Sequence, residues 1–517
     1  MKHTETLLSI TNLKKYFPVA GGSLLKRQQL YVRANEEITL DIRAGETFGL
    51  VGESGCGKST LGRTILQLYD QTAGSTVYYG RTIEEFVPRY VIKTLKNAKK
   101  MVATHKKLQK KAEMAALEVK KAGEYATFFQ HQRKNLTAAE AQTAGDHVMR
   151  ILGGFAALED PSEGAALLLK AYRCAARRNE TLEKIRALEG AAAAGRQTGR
   201  LLHRREALQK LADGQKQALD AVLAELQQLR QRYAGHPMFE EYEQKRDVGV
   251  DLSRLKYQEM RALRKDIQII FQDPYSSLNP RMTVGQIIGE GLVTHRFFRW
   301  GQTQMKDSIL QTMARCGLQA YMLHRYPHQF SGGQRQRICI ARALAVKPKF
   351  VVCDECVSAL DVSIQSQIIN LLEELKRQEN LTYLFISHDL SVVRYISDRI
   401  GVMYLGNLVE LGTAEEIFAD PRHPYTVALL SSIPSTDPNA GQRDRIILEG
   451  SIPSPIRPPE GCKFHTRCYM ACDKCRRVPP QSTEVSPGHF VTCHFPERKM
   501  DVNGQYLFHM AQKEGNA

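Results

Sequence analysis

The sequence predicts an α/β domain built around a glycine-rich loop, interrupted by an all-α segment and followed by a small cysteine-rich extension. Three observations predict this. First, the short apolar run Thr47–Val51 leads into 52–60, rich in glycine, and then into Leu61, Ile65 and Leu68 at helical spacing. Second, residues 81–248 turn to Ala, Lys, Gln, Glu, Arg and Leu, with apolar positions three and four apart. Third, from residue 431 onward Pro, Gly and Cys increase, and five of the 11 cysteines fall between Cys462 and Cys493.

The elements follow in order. In residues 1–80 the alternation from Ile38 to Ile42 reads as a half-buried strand and Thr47–Val51 as a buried one. In 81–248 one seam runs through Val91, Leu95, Ala98, Val102, His105, Leu108, Ala112, Ala116 and Val119. A second runs through Leu208, Leu211, Gln215, Ala218, Val222, Leu226, Leu229 and Tyr233. These predict long amphipathic or coiled-coil helices, the one over 91–121 about 45 Å long. Breakers at Gly153-Gly154 and Asp160-Pro161 divide the segment into a helical hairpin or small bundle, expected to project from the main body. Residues 249–430 return to α/β character, with strands at 267–271, 350–353 and 383–386 and helices over 334–346 and 363–379. Residues 431–517 read as loop-rich and held by something other than a large core.

Composition excludes several classes. The 517 residues are 43% hydrophobic and 25% charged, which is globular rather than disordered. No stretch approaches 18 uncharged apolar residues, so no spanning helix is expected. The N-terminus has no apolar core ahead of a small-residue cleavage site, so no signal peptide is expected. Without a leader, clustered cysteines point to a metal site more than to disulfides. Net charge is +17, and residues 81–248 hold 31 Lys+Arg against 21 Asp+Glu, so the basic excess concentrates there. That excess suits nucleic acid or an anionic membrane surface without choosing between them.

Two motifs carry nucleotide chemistry. Gly52-Glu53-Ser54-Gly55-Cys56-Gly57-Lys58-Ser59-Thr60 matches the G-x-x-x-x-G-K-[ST] phosphate loop. Its glycines admit phosphates to backbone N–H groups, and the helix that follows presents its positive end. Lys58 would reach the β- and γ-phosphates of ATP, and the Ser59 hydroxyl would ligate Mg²⁺. The apolar run 350–353 ends in Asp354-Glu355, which places Asp354 near Mg²⁺ and lets Glu355 polarise the attacking water. Cys56 lies inside the loop, so its alkylation is expected to block ATP, with Cys56→Ser resistant.

Further motifs support a family resemblance. Phe330-Ser331-Gly332-Gly333-Gln334-Arg335-Gln336 resembles the signature of ATP-binding cassette (ABC) proteins. Gln272 looks like the Q-loop glutamine, Ser358-Ala359-Leu360-Asp361 like the D-loop, and Ser387-His388-Asp389 like the switch-histidine motif. The resemblance implies an ABC-type P-loop ATPase domain with a helical signature subdomain. It implies that two such domains meet head to tail, with Ser331, Gly332, Gly333 and Gln334, and the D-loop Asp361, serving nucleotide at the dimer interface. His388 would hold the γ-phosphate, Gln272 would sense Mg²⁺ and water beside Ser59 and Asp354, and an aromatic residue would stack on adenine. Phe17 aligns best for that stack and Tyr16 next, with extra residues at 18–31 disturbing the spacing.

Residues 52–63, 269–283 and 358–365, with His423-Pro424-Tyr425-Thr426, look more narrowly like the oligopeptide/dipeptide transporter ATPases, F-type. This likeness covers about 1–80 and 249–495 and leaves out 81–248. Cys356 departs from it, standing where the family usually has proline. The resemblance implies ATP hydrolysis driving peptide import, with a second homologous ATPase subunit as heterodimer partner, two membrane permeases and an extracytoplasmic peptide-binding protein. The location implied is peripheral, on the cytoplasmic face of the cell membrane, and no nucleic acid partner is expected. An importer of nickel or another small solute is the alternative. A coiled-coil DNA-maintenance ATPase is the rival from another class. It ranks below because its coiled coil follows the Q-loop, whereas 81–248 precedes Gln272. Cys462-x5-Cys468-x6-Cys475-x17-Cys493 resembles the family's C-terminal cysteine motif, which implies a [4Fe-4S] cluster. Zinc and free thiols remain alternatives, and Cys472 competes with Cys475.

Overall fold

A computed structural model describes residues 6–19, 29–193, 199–433 and 446–496. The expectations for the first five residues, for most of 18–31 and for parts of 431–517 therefore lie outside the described residues. Contacts divide the chain into two compact units, Met1–Thr72 with Met260–Ala517, and Ala73–Glu259.

The first unit is organised by an eight-stranded sheet. Its order is Ser482–Ser486, His489–Thr492, Asn407–Thr413, Arg399–Tyr404, Thr47–Val51, Thr382–Ile386, Phe350–Asp354 and Ile267–Ile270. Thr47–Val51 is parallel to both its neighbours, and Phe350–Asp354 is parallel to both of its own. Strands Thr47–Val51, Phe350–Asp354 and Thr382–Ile386 are buried along their whole length. That is why they read as continuous apolar runs rather than as alternation. Parallel strands put their carboxyl ends at one edge, the edge where α/β sheets bind ligands. Helices Gly332–Leu344 and Val362–Glu379 press Ile338, Ile340, Ile368 and Leu372 into a core shared with Val351 and Phe385. Thr6–Pro18 pairs antiparallel with Tyr31–Arg43, outside the eight-stranded sheet.

Two expectations need correction in this unit. The tail is not held only as loops: His489–Thr492 pairs antiparallel with Asn407–Thr413, and Ser482–Ser486 pairs with it in turn. These strands are short and half exposed, so their alternation is too brief to register in sequence. The helix after the glycine-rich loop ends at Ile65, and Leu68 lies beyond it, 40% exposed.

In the second unit, Ala73–Thr82 pairs antiparallel with Gly249–Asp251. Between them the described residues form helices and turns. Ala98–Ala122 and Phe128–Leu152 lie antiparallel, as the cross-helix pairs Lys111–Glu140 and Arg133–Glu118 require. Ser162–Ala193 and Gly199–Tyr233 do the same through Lys170–Glu225 and Arg205–Glu189. These ion pairs are exposed and contribute little; packing of the inner seams holds the pairs together. The predicted helix over 91–121 is two helices, Arg89–Lys96 and Ala98–Ala122, broken at Asn97. The predicted seam of Gly199–Tyr233 holds at Val222, Leu226 and Leu229 and shifts only ahead of Val222. Ala212, Val222, Leu226 and Leu229 are buried, whereas Leu211 is 52% exposed and Ala218 is exposed.

Candidate active site

The phosphate loop bridges Thr47–Val51 and helix Lys58–Ile65. The sequence makes it tight at two glycines. Gly52 has φ 148°, and a Cβ there would lie 2.2 Å from the Met403 carbonyl. Gly57 has φ 105°, and its Cβ would lie 2.2 Å from the Ala34 carbonyl. No side chain caps the helix behind Gly57, which leaves its first N–H groups for an anion. Lys58 is folded back over the loop, donating to the carbonyls of Gly52 (2.7 Å) and Glu53 (3.1 Å). Phosphate oxygens can replace both carbonyls.

Phe17, Arg33, Ser54, Gly55, Cys56, Gly57, Lys58, Ser59, Thr60, Gln272 and Glu355 line one open cleft of ≈ 380 Å³. Phe17 stands edge-on to Tyr69, centroids 5.4 Å apart, with the Lys15 ammonium 4.6 Å over its ring. Tyr16 faces the other way, buried, its hydroxyl donating to Glu36. Cys56 lines the cleft but is only 4% exposed, and burial raises its thiol pKa, which disfavours the thiolate that alkylation needs.

Glu355 follows the buried strand Phe350–Asp354 with φ 48°, a left-handed conformation that costs a β-substituted residue about 1–3 kcal/mol. Its N–H donates to Ile386 (3.0 Å), which fixes the turn. Gln272 Nε2 donates to Glu355 Oε2 at 2.9 Å, and His388 Nδ1 lies 3.5 Å from the same oxygen. Three residues from three strand ends thus meet at one carboxylate. Asp354 is buried; its Oδ2 accepts from Arg63 (3.1 Å), while its Oδ1 has no donor among the described residues. A buried carboxylate oxygen without a partner is costly, and a divalent cation suits it. Cys356 is buried too, hydrogen-bonded to Cys353, whose thiol pKa is raised first by that bond and then by burial.

The signature lies elsewhere. Ser331 caps helix Gly332–Leu344, and its Oγ accepts from the Gln334 N–H at 3.4 Å. Gly333 is buried, and a Cβ on it would come within 2.4 Å of Ile364, so glycine is needed for close packing. Asp361 caps helix Val362–Glu379, with its carboxyl pKa lowered by the Ile364 N–H. None of Ser331, Gly332, Gly333, Gln334 and Asp361 lines the cleft of its own chain.

Cys462, Cys468, Cys475 and Cys493 share a small pocket with His423, Phe464 and His465. The thiols face one space but are not drawn into a tight ligand set; among the described residues no group of three or more could hold a metal as placed. Burial pushes the Cys462 thiol up to about 11 and the Cys468 thiol up to about 12. Cys472 lies outside the pocket, its Sγ 3.7 Å from that of Cys475, and its pKa is lowered by the Cys475 N–H. Sequence reading missed the tail's approach to the cleft. Pro455 lines it, and Arg467 pairs with Glu53. The one available signal was Arg467 itself, the last residue of the Cys462-x5-Cys468 spacer.

A phosphate loop, a buried aspartate and a glutamate at the strand end together define a nucleotide triphosphatase of the phosphate-loop class. The ABC transporter family model matches residues 35–230 and 236–358, and the model for the oligopeptide/dipeptide transporter C-terminal region matches 409–475. The oligopeptide transport ATP-binding protein AppF of Bacillus subtilis is 34% identical over 95% of this chain and 97% of its own. The oligopeptide transport ATP-binding protein OppF of Salmonella typhimurium is 51% identical over 48% of this chain and 73% of its own. Among solved structures, cbiO1 of Clostridium perfringens, part of the ABC transporter complex cbiONQ, is 15% identical with a TM-score of 0.40, over 80% of this chain and 92% of that one. The chain belongs to the ABC transporter ATPases, within the family of oligopeptide transport ATP-binding proteins. No helix among the described residues is long and apolar enough to cross a membrane.

Proposed function

We propose that this chain hydrolyses ATP to drive import of dipeptides or oligopeptides through two membrane permeases, as a peripheral subunit paired with a second, homologous ATPase. The convergence of Gln272 and His388 on Glu355 at the mouth of the phosphate-loop cleft carries this reading. In it, Phe17 stacks on adenine and the N–H groups of 54–60 take the phosphates. Lys58 exchanges the two carbonyls for phosphate oxygens. Glu355 accepts a proton from the attacking water, and His388 and Gln272 keep that carboxylate aimed. Ser59, Gln272 and Asp354 would hold Mg²⁺, which neutralises charge on the phosphates. Ser331, Gly332, Gly333, Gln334 and Asp361 serve nucleotide held by the partner subunit, in keeping with their place away from their own cleft.

The helical segment between Thr82 and Gly249 is read as an inserted, coiled-coil-like decoration of 81–248, separate from the 1–80 and 249–430 parts of the ATPase domain. One experiment tests both readings. Glu355→Gln, with and without deletion of 84–246, is purified with MgATP from solubilised membranes of its host, and co-purifying chains are identified by mass spectrometry. Two multi-spanning proteins and a second ATPase are expected in both. Recovery of nucleic acid or chromosome proteins instead would sink the importer reading, and loss of the permeases on deletion would sink the decoration reading.

The four pocket thiols of 431–517 have the donor chemistry of a [4Fe-4S] cluster or a Cys₄ zinc site. Either would act as a structural clip for the tail. Iron with acid-labile sulfide is expected on elemental analysis of freshly purified protein; zinc alone would select the alternative. Protein lacking both would overturn a metal centre.

A further inference from the structure

We infer that Arg467, in the cysteine tail, is a positioning residue for the phosphate loop. The inference rests on the reading of the cleft as an ATP site. Arg467 Nη1 and Nη2 donate to Glu53 Oε2 and Oε1 at 2.7 and 3.0 Å. This two-point geometry fixes the carboxylate in orientation as well as place. The Arg467 side chain is 7% exposed and that of Glu53 25%, so water screens the pair weakly.

Glu53 is held at every polar group. Its N–H donates to the Tyr425 hydroxyl (2.9 Å), its carboxylate takes Arg467, and its carbonyl accepts from Lys58 Nζ (3.1 Å). Residue 53 is therefore the hinge between the tail and the lysine that must turn to phosphate. The tail's hold extends further along the cleft, where Pro455 lines the wall and its carbonyl accepts from the Arg33 N–H at 3.1 Å.

The packing behind this contact is rigid. Phe464, 1% exposed, lies 5.3 Å from Tyr425 and 5.1 Å from Tyr404 by ring centroids, and it also lines the thiol pocket. Close-packed aromatic rings shift together rather than deform. Arg467, next in sequence to Cys468, thus connects the thiol pocket to the loop that receives ATP.

The test is a double-mutant cycle on the full chain, read as the Kd of a fluorescent ATP analogue with Mg²⁺. Arg467→Ala and Glu53→Gln should each raise Kd about tenfold, the loss typical of a charge-assisted hydrogen bond. The double variant should be no weaker than Arg467→Ala alone, and Arg467→Lys should recover part of the affinity. A Kd within twofold of wild type in Arg467→Ala, or fully additive losses in the double variant, would overturn the inference. If Arg467→Ala does not fold, Glu53→Gln, Arg467→Lys and their double variant carry the same cycle. Wild-type protein that binds no ATP analogue would overturn the ATP reading itself, so the two failures are distinct.

Discussion

Glu355→Gln is expected to lower ATP turnover by about 10²–10⁴-fold, the usual contribution of a positioned general base, while leaving ATP binding within a few-fold of wild type. The reason is local. Glu355 Oε2 is the meeting point of Gln272 Nε2 at 2.9 Å and His388 Nδ1 at 3.5 Å. A glutamine keeps the shape and can still accept from Gln272, but it cannot take a proton from water. The residues that face the phosphates, 54–60, are untouched. Single-turnover hydrolysis alongside nucleotide affinity measures both halves. Turnover within tenfold of wild type would remove Glu355 from the role of base.

Glu410→Ala is expected to destabilise the first unit by about 3 kcal/mol or more, the penalty for removing one partner from a buried polar network. Glu410 is 1% exposed. It accepts from the backbone N–H groups of Arg422 (2.6 Å) and His423 (2.9 Å), and His489 Nε2 lies 2.9 Å from its Oε1. It thereby ties Asn407–Thr413 to the tail strand His489–Thr492 and to the start of helix Pro424–Ser431. Burial opposes ionisation, but these donors together hold its pKa below the ordinary carboxylate value. A depressed carboxyl contributes stability above its unfolded pKa, about 4.3, and loses it as pH falls through the lower folded value. Wild type should therefore lose stability below about pH 4, and Glu410→Ala should lack this part of the acid dependence. Thermal midpoints from pH 7 to pH 3 measure it. Equal midpoints for the two proteins at pH 7 would show that the network is not what holds the tail.

The nucleotide loop was legible because it is contiguous. Strand Thr47–Val51, loop and helix Lys58–Ile65 lie within 20 residues, and each position answers to local backbone demands such as φ 148° at Gly52. The buried strands Phe350–Asp354 and Thr382–Ile386 were legible because burial on both faces leaves an unbroken apolar run. The seam of Gly199–Tyr233 was legible in period throughout and in phase at Val222, Leu226 and Leu229, but not ahead of Val222. Leu211 and Ala212 are both apolar, so two overlapping heptads fit the sequence, and only the facing helix Ser162–Ala193 selects Ala212.

Residue types and spacing along the chain therefore carried the loop, the acidic pair, the family and the cysteine spacing. The fold alone determined what meets what. Parallel strand order brings Gln272, Glu355 and His388 to one edge, although 83 residues separate the first two. It likewise turns Phe17 rather than Tyr16 to the cleft, and seats Arg467 on Glu53 across 414 residues of sequence. Such pairings depend on sheet order and on which face of a strand or loop is buried. Neither is encoded within the short window over which sequence periodicity is read.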